Sequence, residues 1–198
     1  PKGFSIISAV QGRAVQERAV KERVMHATGP DQKEGVAHAA RHGRCGFAAI
    51  IGPPNAGKST LVNWVVGAKV SIVTAKTQTT RFRVLGIAIH DDAQIILIDT
   101  PGIFSPRKRL ERAMVAAAWS GAADADQIVV VIDSRRGESA ESTKIVERLQ
   151  QSKRQAVLVL NKIDLIDKPR LLRLTETFSQ TGVFSRVFMV SAVKGEGV

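Results

Sequence analysis

The run Gly52-Pro53-Pro54-Asn55-Ala56-Gly57-Lys58-Ser59 fits the spacing GxxxxGK[ST] and follows an apolar stretch that ends at Ile51. Residue types in this order can hold a polyphosphate. Glycines let backbone N–H groups approach the phosphates without a Cβ in the way, and a helix opening at Lys58 points its positive end at them. Lys58 places a cation on the β and γ phosphates, and the Ser59 hydroxyl can ligate Mg²⁺. Gly52, Pro53, Asn55, Ala56, Gly57 and Thr60 complete the lining of such a loop. Taken alone, this run specifies a nucleoside triphosphate and no more.

A second cluster, Asp99-Thr100-Pro101-Gly102, follows the apolar run QIILI and fits DxxG. Asp99 is expected to hold Mg²⁺ through water, and the Gly102 N–H to sense the γ-phosphate, which would make the next residues a switch. An aspartate at a strand end is also a common turn former, and by itself this cluster leaves that open. A third cluster, Asn161-Lys162-Ile163-Asp164, follows AVLVL and fits NKxD. A carboxylate at Asp164 can accept from guanine N1–H and its 2-amino group. Adenine offers neither donor, so it would leave the carboxylate unpaired. Asn161 would tie loops together and the Lys162 stem would lie over the base. The order of the clusters, more than any one of them, makes guanine the expected base. Ser191-Ala192 ends the next apolar run, VFMV, and the Ala192 N–H is placed to reach guanine O6. Between the first two clusters lies Lys76-Thr77-Gln78-Thr79-Thr80-Arg81, where a Mg²⁺-binding threonine is expected; Thr80 is the first choice and Thr79 the second.

These clusters need a scaffold that brings their loops to one edge. Apolar strands are expected at Gly46–Ile51, Gln94–Asp99, Gln127–Asp133, Gln155–Leu160 and Val187–Val190, with Phe82–Ile89 joined to the second by a hairpin at His90–Ala93. Helices are expected at Lys58–Gly67 (buried), Lys108–Ser120, Glu138–Gln151 and Pro169–Gln180, the last with Pro in its first turn. Strands apolar on both faces and separated by helices predict an α/β fold of three layers, a P-loop domain. Its sheet would be mostly parallel and six-stranded, with one antiparallel edge strand. Each cluster falls at the carboxyl end of a strand, where ligands bind in such sheets.

The remaining composition sets bounds. The chain has 198 residues, and the longest apolar stretches, such as Ile128–Ile132, are strand-sized. None approaches the roughly 20 residues of a membrane span. One cysteine, Cys45, excludes an intrachain disulfide and fits a reducing cytosol, with Cys45 read as a small hydrophobe at a strand start. The net charge of +11 favours polyanions: nucleic acid, ribosome or anionic lipid. Tyrosine is absent and aromatics are 5%, which argues against a base-stacking platform. Residues 1–44 differ from the rest. They show a rough five-residue repeat (AVQGR, AVQER, AVKER) that keeps no single helical or strand face. A disordered or loosely helical extension is the expectation for them, compatible with a natural start at Met25; a nucleic-acid- or membrane-binding helix is the alternative. A transit peptide is disfavoured by Glu17, Glu22, Asp31 and Glu34. The domain proper is expected to span 45–198.

The runs IIGPPNAGKSTLVNWVVGAKVSIVTAKTQTTRFRVLGIAI, IDTPGIFSPRKRL, LVLNKIDLI and MVSAVKGEGV resemble the Era family of bacterial GTPases. PNAGKS alone is shared with TrmE- and Der-like GTPases, which remain the alternative; QTTR and DTPGIFSPRKRL point towards Era. The resemblance implies a GTP-binding and GTP-hydrolysing switch that uses Mg²⁺. It also implies a C-terminal KH domain, binding to 16S ribosomal RNA, assembly of the 30S subunit, and a cytoplasmic location with peripheral contact to the inner membrane. The chain stops after the last guanine motif, so a final helix and the KH domain would be missing, and the sheet face that this helix covers would stand exposed. The water-orienting glutamine of Ras-like proteins is replaced by Ile103. Some relatives use K⁺ held partly by the P-loop asparagine, which makes Asn55 a candidate catalytic residue beside Lys58 and Thr80. With no residue visibly orienting water, turnover is expected to be slow, and a binding module with negligible hydrolysis is the further alternative. The basic clusters Arg81/Arg83, Arg135-Arg136 and Lys153-Arg154 read as solvated surface, whereas Arg107–Arg109 is the best candidate for a regulated contact.

Overall fold

The computed structural model describes residues 44–73, 84–90 and 93–198. Six strands form one sheet in the order β2-β3-β1-β4-β5-β6. They are β1 (Arg44–Ile51), β2 (Val84–His90), β3 (Ala93–Asp99), β4 (Gln127–Asp133), β5 (Ala156–Asn161) and β6 (Phe184–Val190). Only β2, at the edge, runs antiparallel, paired with β3 from Val84↔Asp99 to His90↔Ala93. The α/β architecture and the hairpin are therefore as expected. β6 begins earlier than expected, at Phe184.

Among the described residues the α-helices are α1 (Lys58–Val66), α2 (Arg109–Asp124), α3 (Ala140–Gln151) and α4 (Lys168–Gln180). Local sequence explains their ends. α1 stops where Gly67 adopts φ 72°, a left-handed cap that glycine takes without strain. α4 is capped by Asp167, whose side chain accepts from the Arg170 N–H, and has a proline in its first turn. Glu111 closes the start of α2 by accepting from the N–H groups of Arg107 (2.6 Å) and Lys108 (3.0 Å). The expectation of a buried α1 needs correction. Leu61 and Val62 are buried, but Trp64 is exposed, because the helix covers the sheet with one face only.

Every residue of β4 and β5 is buried. One apolar cluster joins Ile51, Ile128, Val130, Ile132, Leu158 and Leu160 to α2, α3 and α4 through Ala118, Ile145, Leu149 and Phe178. The opposite face joins Ile50, Leu97, Val129, Val131, Val157 and Val159 to Leu61 and Val62 of α1, with Val190 and Ala192 beside them. This arrangement corrects the expectation of a bare face, since Val129, Val131, Val157 and Val159 lose essentially all solvent contact. The exposed apolar side chains lie elsewhere. Leu85, Ile87 and Ile89 of the edge strand β2 are 61%, 50% and 78% exposed. They alternate along the strand, so they share one sheet face. Cys45 lies in β1 as expected, but its side chain is exposed rather than packed.

A candidate nucleotide site at the carboxyl ends of the strands

From β1 the chain passes to β3 on one side and later to β4 on the other, so the crevice opens beside the end of β1. The loop 52–57 fills it. Gly52 has φ 151° and Gly57 φ 95°. A Cβ on Gly57 would lie 2.1 Å from Asn161 Nδ2, and one on Gly52 would lie 2.1 Å from the Val131 carbonyl oxygen. Glycine is required at both by space as well as by backbone angle. Asn55 also takes a positive φ, 60°, which asparagine tolerates better than most residues.

Lys58 is buried, and its ammonium donates to the carbonyls of Pro53 (3.0 Å) and Gly52 (3.3 Å). Burial lowers its pKa to about 8, and the nearby Asp99 charge offsets part of that. A phosphate placed against these atoms would add a further anion beside the ammonium. Beside it the Ser59 hydroxyl donates to Asp99 Oδ2 at 2.7 Å, so the first two motifs meet. A hydroxyl and a carboxylate this close form a hard-oxygen pair of the kind Mg²⁺ takes, with phosphates and water completing its shell. The following residues fold back over the loop. The Ile103 N–H donates to the Gly52 carbonyl (2.9 Å), and the Ile103 side chain is buried among Ala118 and Ile132. The buried Thr100 hydroxyl donates to the Ile50 carbonyl (2.8 Å).

Asn161 joins three loops. Its Nδ2 donates to the Ala56 carbonyl (2.8 Å), and its Oδ1 accepts from the N–H groups of Lys162 (2.8 Å) and Ala192 (3.0 Å). The Ala192 N–H, expected to be aimed at a base oxygen, is thus engaged by Asn161. Lys162 sits at φ 65°, and its ammonium donates to the Asn55 carbonyl (2.6 Å) and to Asp133 Oδ2 (2.7 Å). Asp164 stands at the rim in a short 3₁₀ turn (Ile163–Leu165), its side chain 15% exposed and 4.0 Å from the Lys194 ammonium. Ser191 is buried, and its N–H donates to the Glu196 carbonyl (2.9 Å). Thr79 and Thr80 lie outside the described residues, as does the Arg81/Arg83 cluster.

Asp133 was missed by the motif reading. It ends β4 with only 4% of its side chain exposed, and it accepts from Arg135 Nη2 (2.9 Å) and Nε (3.3 Å) as well as from Lys162. Burial works against its ionisation. The hydrogen bonds from Arg135 and Lys162, with the Lys162 charge, outweigh that and hold the carboxyl below its ordinary range. The signal was present: like Asp99, Asp133 is an acid closing an apolar run. Asn63 was missed too; its side chain clamps Ser71 through both its N–H (2.7 Å) and its carbonyl (2.8 Å). The basic clusters Arg135-Arg136 and Lys153-Arg154 lie at the surface as expected, but one arginine of each is also bonded. Arg135 is tied to Asp133, and Arg154 caps the end of α2 by donating to the carbonyls of Ala125 (2.9 Å), Ala122 (3.3 Å) and Ala123 (3.4 Å).

A doubly wound sheet with a glycine-bracketed lysine loop, a Ser–Asp pair beside it and an Asn-Lys-x-Asp loop across from it defines a P-loop domain of the GTPase type. The chain belongs to the family described as 50S ribosome-binding GTPase, whose model matches residues 47–162. Within that family it is similar to GTPase Era of Sinorhizobium medicae, 53% identical over 167 residues that cover 84% of this chain and 54% of the relative. Among solved structures it is similar to Aquifex aeolicus Era bound to GDP·AlF₄⁻, with a TM-score of 0.71 and 38% identity over 76% of this chain and 52% of the other. It is equally similar to Era in complex with MgGDPNP and nucleotides 1506–1542 of 16S ribosomal RNA, with a TM-score of 0.72 at 38% identity and the same coverage. The chain spans about half the length of these relatives.

Proposed function

We propose that this chain binds guanine nucleotide, hydrolyses GTP and changes partner affinity between the two states. The observation that carries the reading is the Asn161 junction, which holds the phosphate loop, the base loop and the Ser191-Ala192 loop in one hydrogen-bonded unit. In this reading Gly52, Pro53, Asn55, Ala56 and Gly57 line the phosphates. Lys58 leaves the loop carbonyls for the β and γ oxygens, and Thr60 follows it in the first turn of α1. Ser59, Asp99 and Thr80 hold Mg²⁺, which when bound supplies positive charge to the phosphates. Gly102 senses the γ-phosphate, and Asp164 accepts from the guanine edge. Lys162 covers the base while anchored to Asp133, and Ser191 and Ala192 shape the pocket around O6. Ile103 is packed into the core, so attack by water relies on charge stabilisation around the phosphates. Asn55 is the proposed ligand for K⁺ beside them.

The wider role is assembly of the small ribosomal subunit through 16S ribosomal RNA. The relative solved with that RNA and the net charge of +11 support it. A cytoplasmic protein with peripheral membrane contact is consistent with this charge, and no described helix is long and apolar enough to cross a membrane. Residues 1–44 are proposed as an extension preceding the domain at 45–198.

The test uses Asp164→Asn. Loss of an acceptor for two guanine donors should weaken GTP binding about 100-fold or more, at ~1.5–3 kcal/mol per charged hydrogen bond. It should also raise the affinity for xanthosine triphosphate, whose 2-oxo group can accept from the new amide. Unchanged GTP affinity would sink the base assignment. Equal single-turnover phosphate release in K⁺ and Na⁺ would sink the role given to Asn55.

A further inference from the structure

Away from the nucleotide crevice, α2 and α3 enclose a groove of about 450 Å³. Arg112, Ala116, Trp119 and Ala123 line it from α2, at spacings of four, three and four residues that put them on one helix face. α3 contributes Arg148, whose guanidinium lies 4.5 Å from the centre of the Trp119 ring. Pro106 forms one wall. The floor is mostly apolar, with Ser120 its uncharged polar side chain; both ionisable lining residues are arginines, and no carboxylate lines the groove. At its far end the Arg154 guanidinium, bonded to the Ala123 carbonyl, adds a third cation.

The Pro106 wall is joined to the candidate switch. It lies between Ile103, whose N–H bonds the phosphate loop at Gly52, and Arg107, whose N–H bonds Glu111 of α2. The Lys144 ammonium of α3 donates to the Ser105 hydroxyl at 2.7 Å, so both helices of the groove hold this segment. The segment thus links the phosphate loop to both helices, so a rearrangement at Gly102 would reach the groove through these bonds.

We propose that this groove docks a segment of a partner protein that carries an apolar side chain flanked by carboxylates, and that its grip depends on the bound nucleotide. The apolar side chain seats on Ala116 and Ala123, beside the Trp119 ring that Arg148 covers. The carboxylates pair with Arg112 and Arg148, whose planar forks suit bidentate contacts. Tryptophan and arginine together are the residue types that dominate binding energy at such surfaces. A nucleic acid would use the arginines but leave the apolar floor without a partner, and the indole face is already covered by Arg148. The nucleotide dependence rests on the guanine-nucleotide reading above; the docking does not.

The test is fluorescence anisotropy of a labelled synthetic peptide of alternating glutamate and leucine or phenylalanine, added to the full chain loaded with GDP or with a non-hydrolysable GTP analogue. Loading is checked by chromatography of the released nucleotide. The expected result is binding that differs about fivefold or more between the two states. It should weaken about tenfold or more in Arg148→Glu and in Ala116→Arg, which fills the floor. Both positions are exposed, and thermal unfolding confirms that each variant folds. If Ala116→Arg does not fold, Arg148→Glu and Arg112→Glu carry the test. Binding no tighter than that of the same peptide with lysine for glutamate overturns the proposal. So does an oligouridylate that displaces the peptide and loses its own binding in Ala116→Arg. Equal affinity in both loaded states overturns the nucleotide dependence. Failure to load any guanine nucleotide instead overturns the earlier reading, and the peptide then still tests the groove on the nucleotide-free chain.

Discussion

Asp133→Asn separates a residue that organises the nucleotide site from one that only stabilises the fold. The wild-type carboxylate is nearly buried and is shared by Lys162 (2.7 Å) and Arg135 (2.9 Å). Lys162 Nζ and Arg135 Nη2 share Oδ2, while Oδ1 accepts from the Arg135 backbone N–H and Nε. The amide keeps one oxygen and no charge, so one of these two sets of donors loses its acceptor and Lys162 loses its counter-charge. Removing one charged hydrogen bond costs about 1.5–3 kcal/mol. The low end applies, because Lys162 and Arg135 keep 21% and 50% of their side-chain exposure and water can replace part of the loss. Thermal unfolding should therefore fall by roughly 3–6 °C, at about 2–4 °C per kcal/mol for a chain of this size. The sharper readout is GDP affinity by fluorescent-nucleotide displacement. Without the opposite charge at position 133 the Lys162 ammonium is held less firmly and fixes the Asn55 carbonyl less well, so the phosphate loop must be ordered at the expense of binding. About tenfold weaker GDP binding is expected, since 1.4 kcal/mol is a factor of ten. The rate of hydrolysis from the bound state should change little, because Lys162 is not placed at the reacting phosphates. In a double-mutant cycle with Lys162→Ala, the two effects on affinity should overlap strongly. A fall in melting temperature with GDP affinity intact, or additive effects in the cycle, would refute the positioning role.

Three further predictions follow from other parts of the structure. The Lys58 proton should leave near pH 8 in the nucleotide-free fold, so nucleotide affinity should fall between pH 8 and 9 and binding there should take up a proton, read from calorimetry in buffers of different ionisation heat. Because its folded pKa lies below its unfolded value, the cost of burying the ammonium is present below pH 8 and fades towards pH 10.5, so this group makes the nucleotide-free protein more stable as pH rises through that window; flat affinity from pH 7 to 9 would contradict the placement of Lys58. Gly57→Ala puts a methyl group 2.1 Å from Asn161 Nδ2 at φ 95°, which should abolish detectable GDP binding while far-UV circular dichroism stays near wild type, and retained binding would show that the Asn161 junction yields easily. Replacing Ile87 and Ile89 on the exposed face of β2 by threonine and lysine should reduce concentration-dependent light scattering without altering GDP affinity, and unchanged scattering would place self-association elsewhere.

The sequence alone determined the order of elements and the atoms each loop can offer. Apolar runs such as QIVVVID set the buried strands, and the residues closing them announced the loops that carry chemistry. These are local properties, because the spacing of side chains along a strand or helix depends only on its own backbone period. Tertiary structure decided which loops touch. Lys162 reaches Asn55, 107 residues away, and Asp133, 29 residues away, because the parallel register of β4 and β5 sets Asp133 opposite Asn161. No local pattern encodes that meeting, and none tells that Arg154 caps α2, that Trp119 lies under Arg148, or that the valines of β4 and β5 are closed over while Leu85, Ile87 and Ile89 are not. Burial and long-range hydrogen bonds depend on strand order and register, which appear only once the whole sheet has assembled.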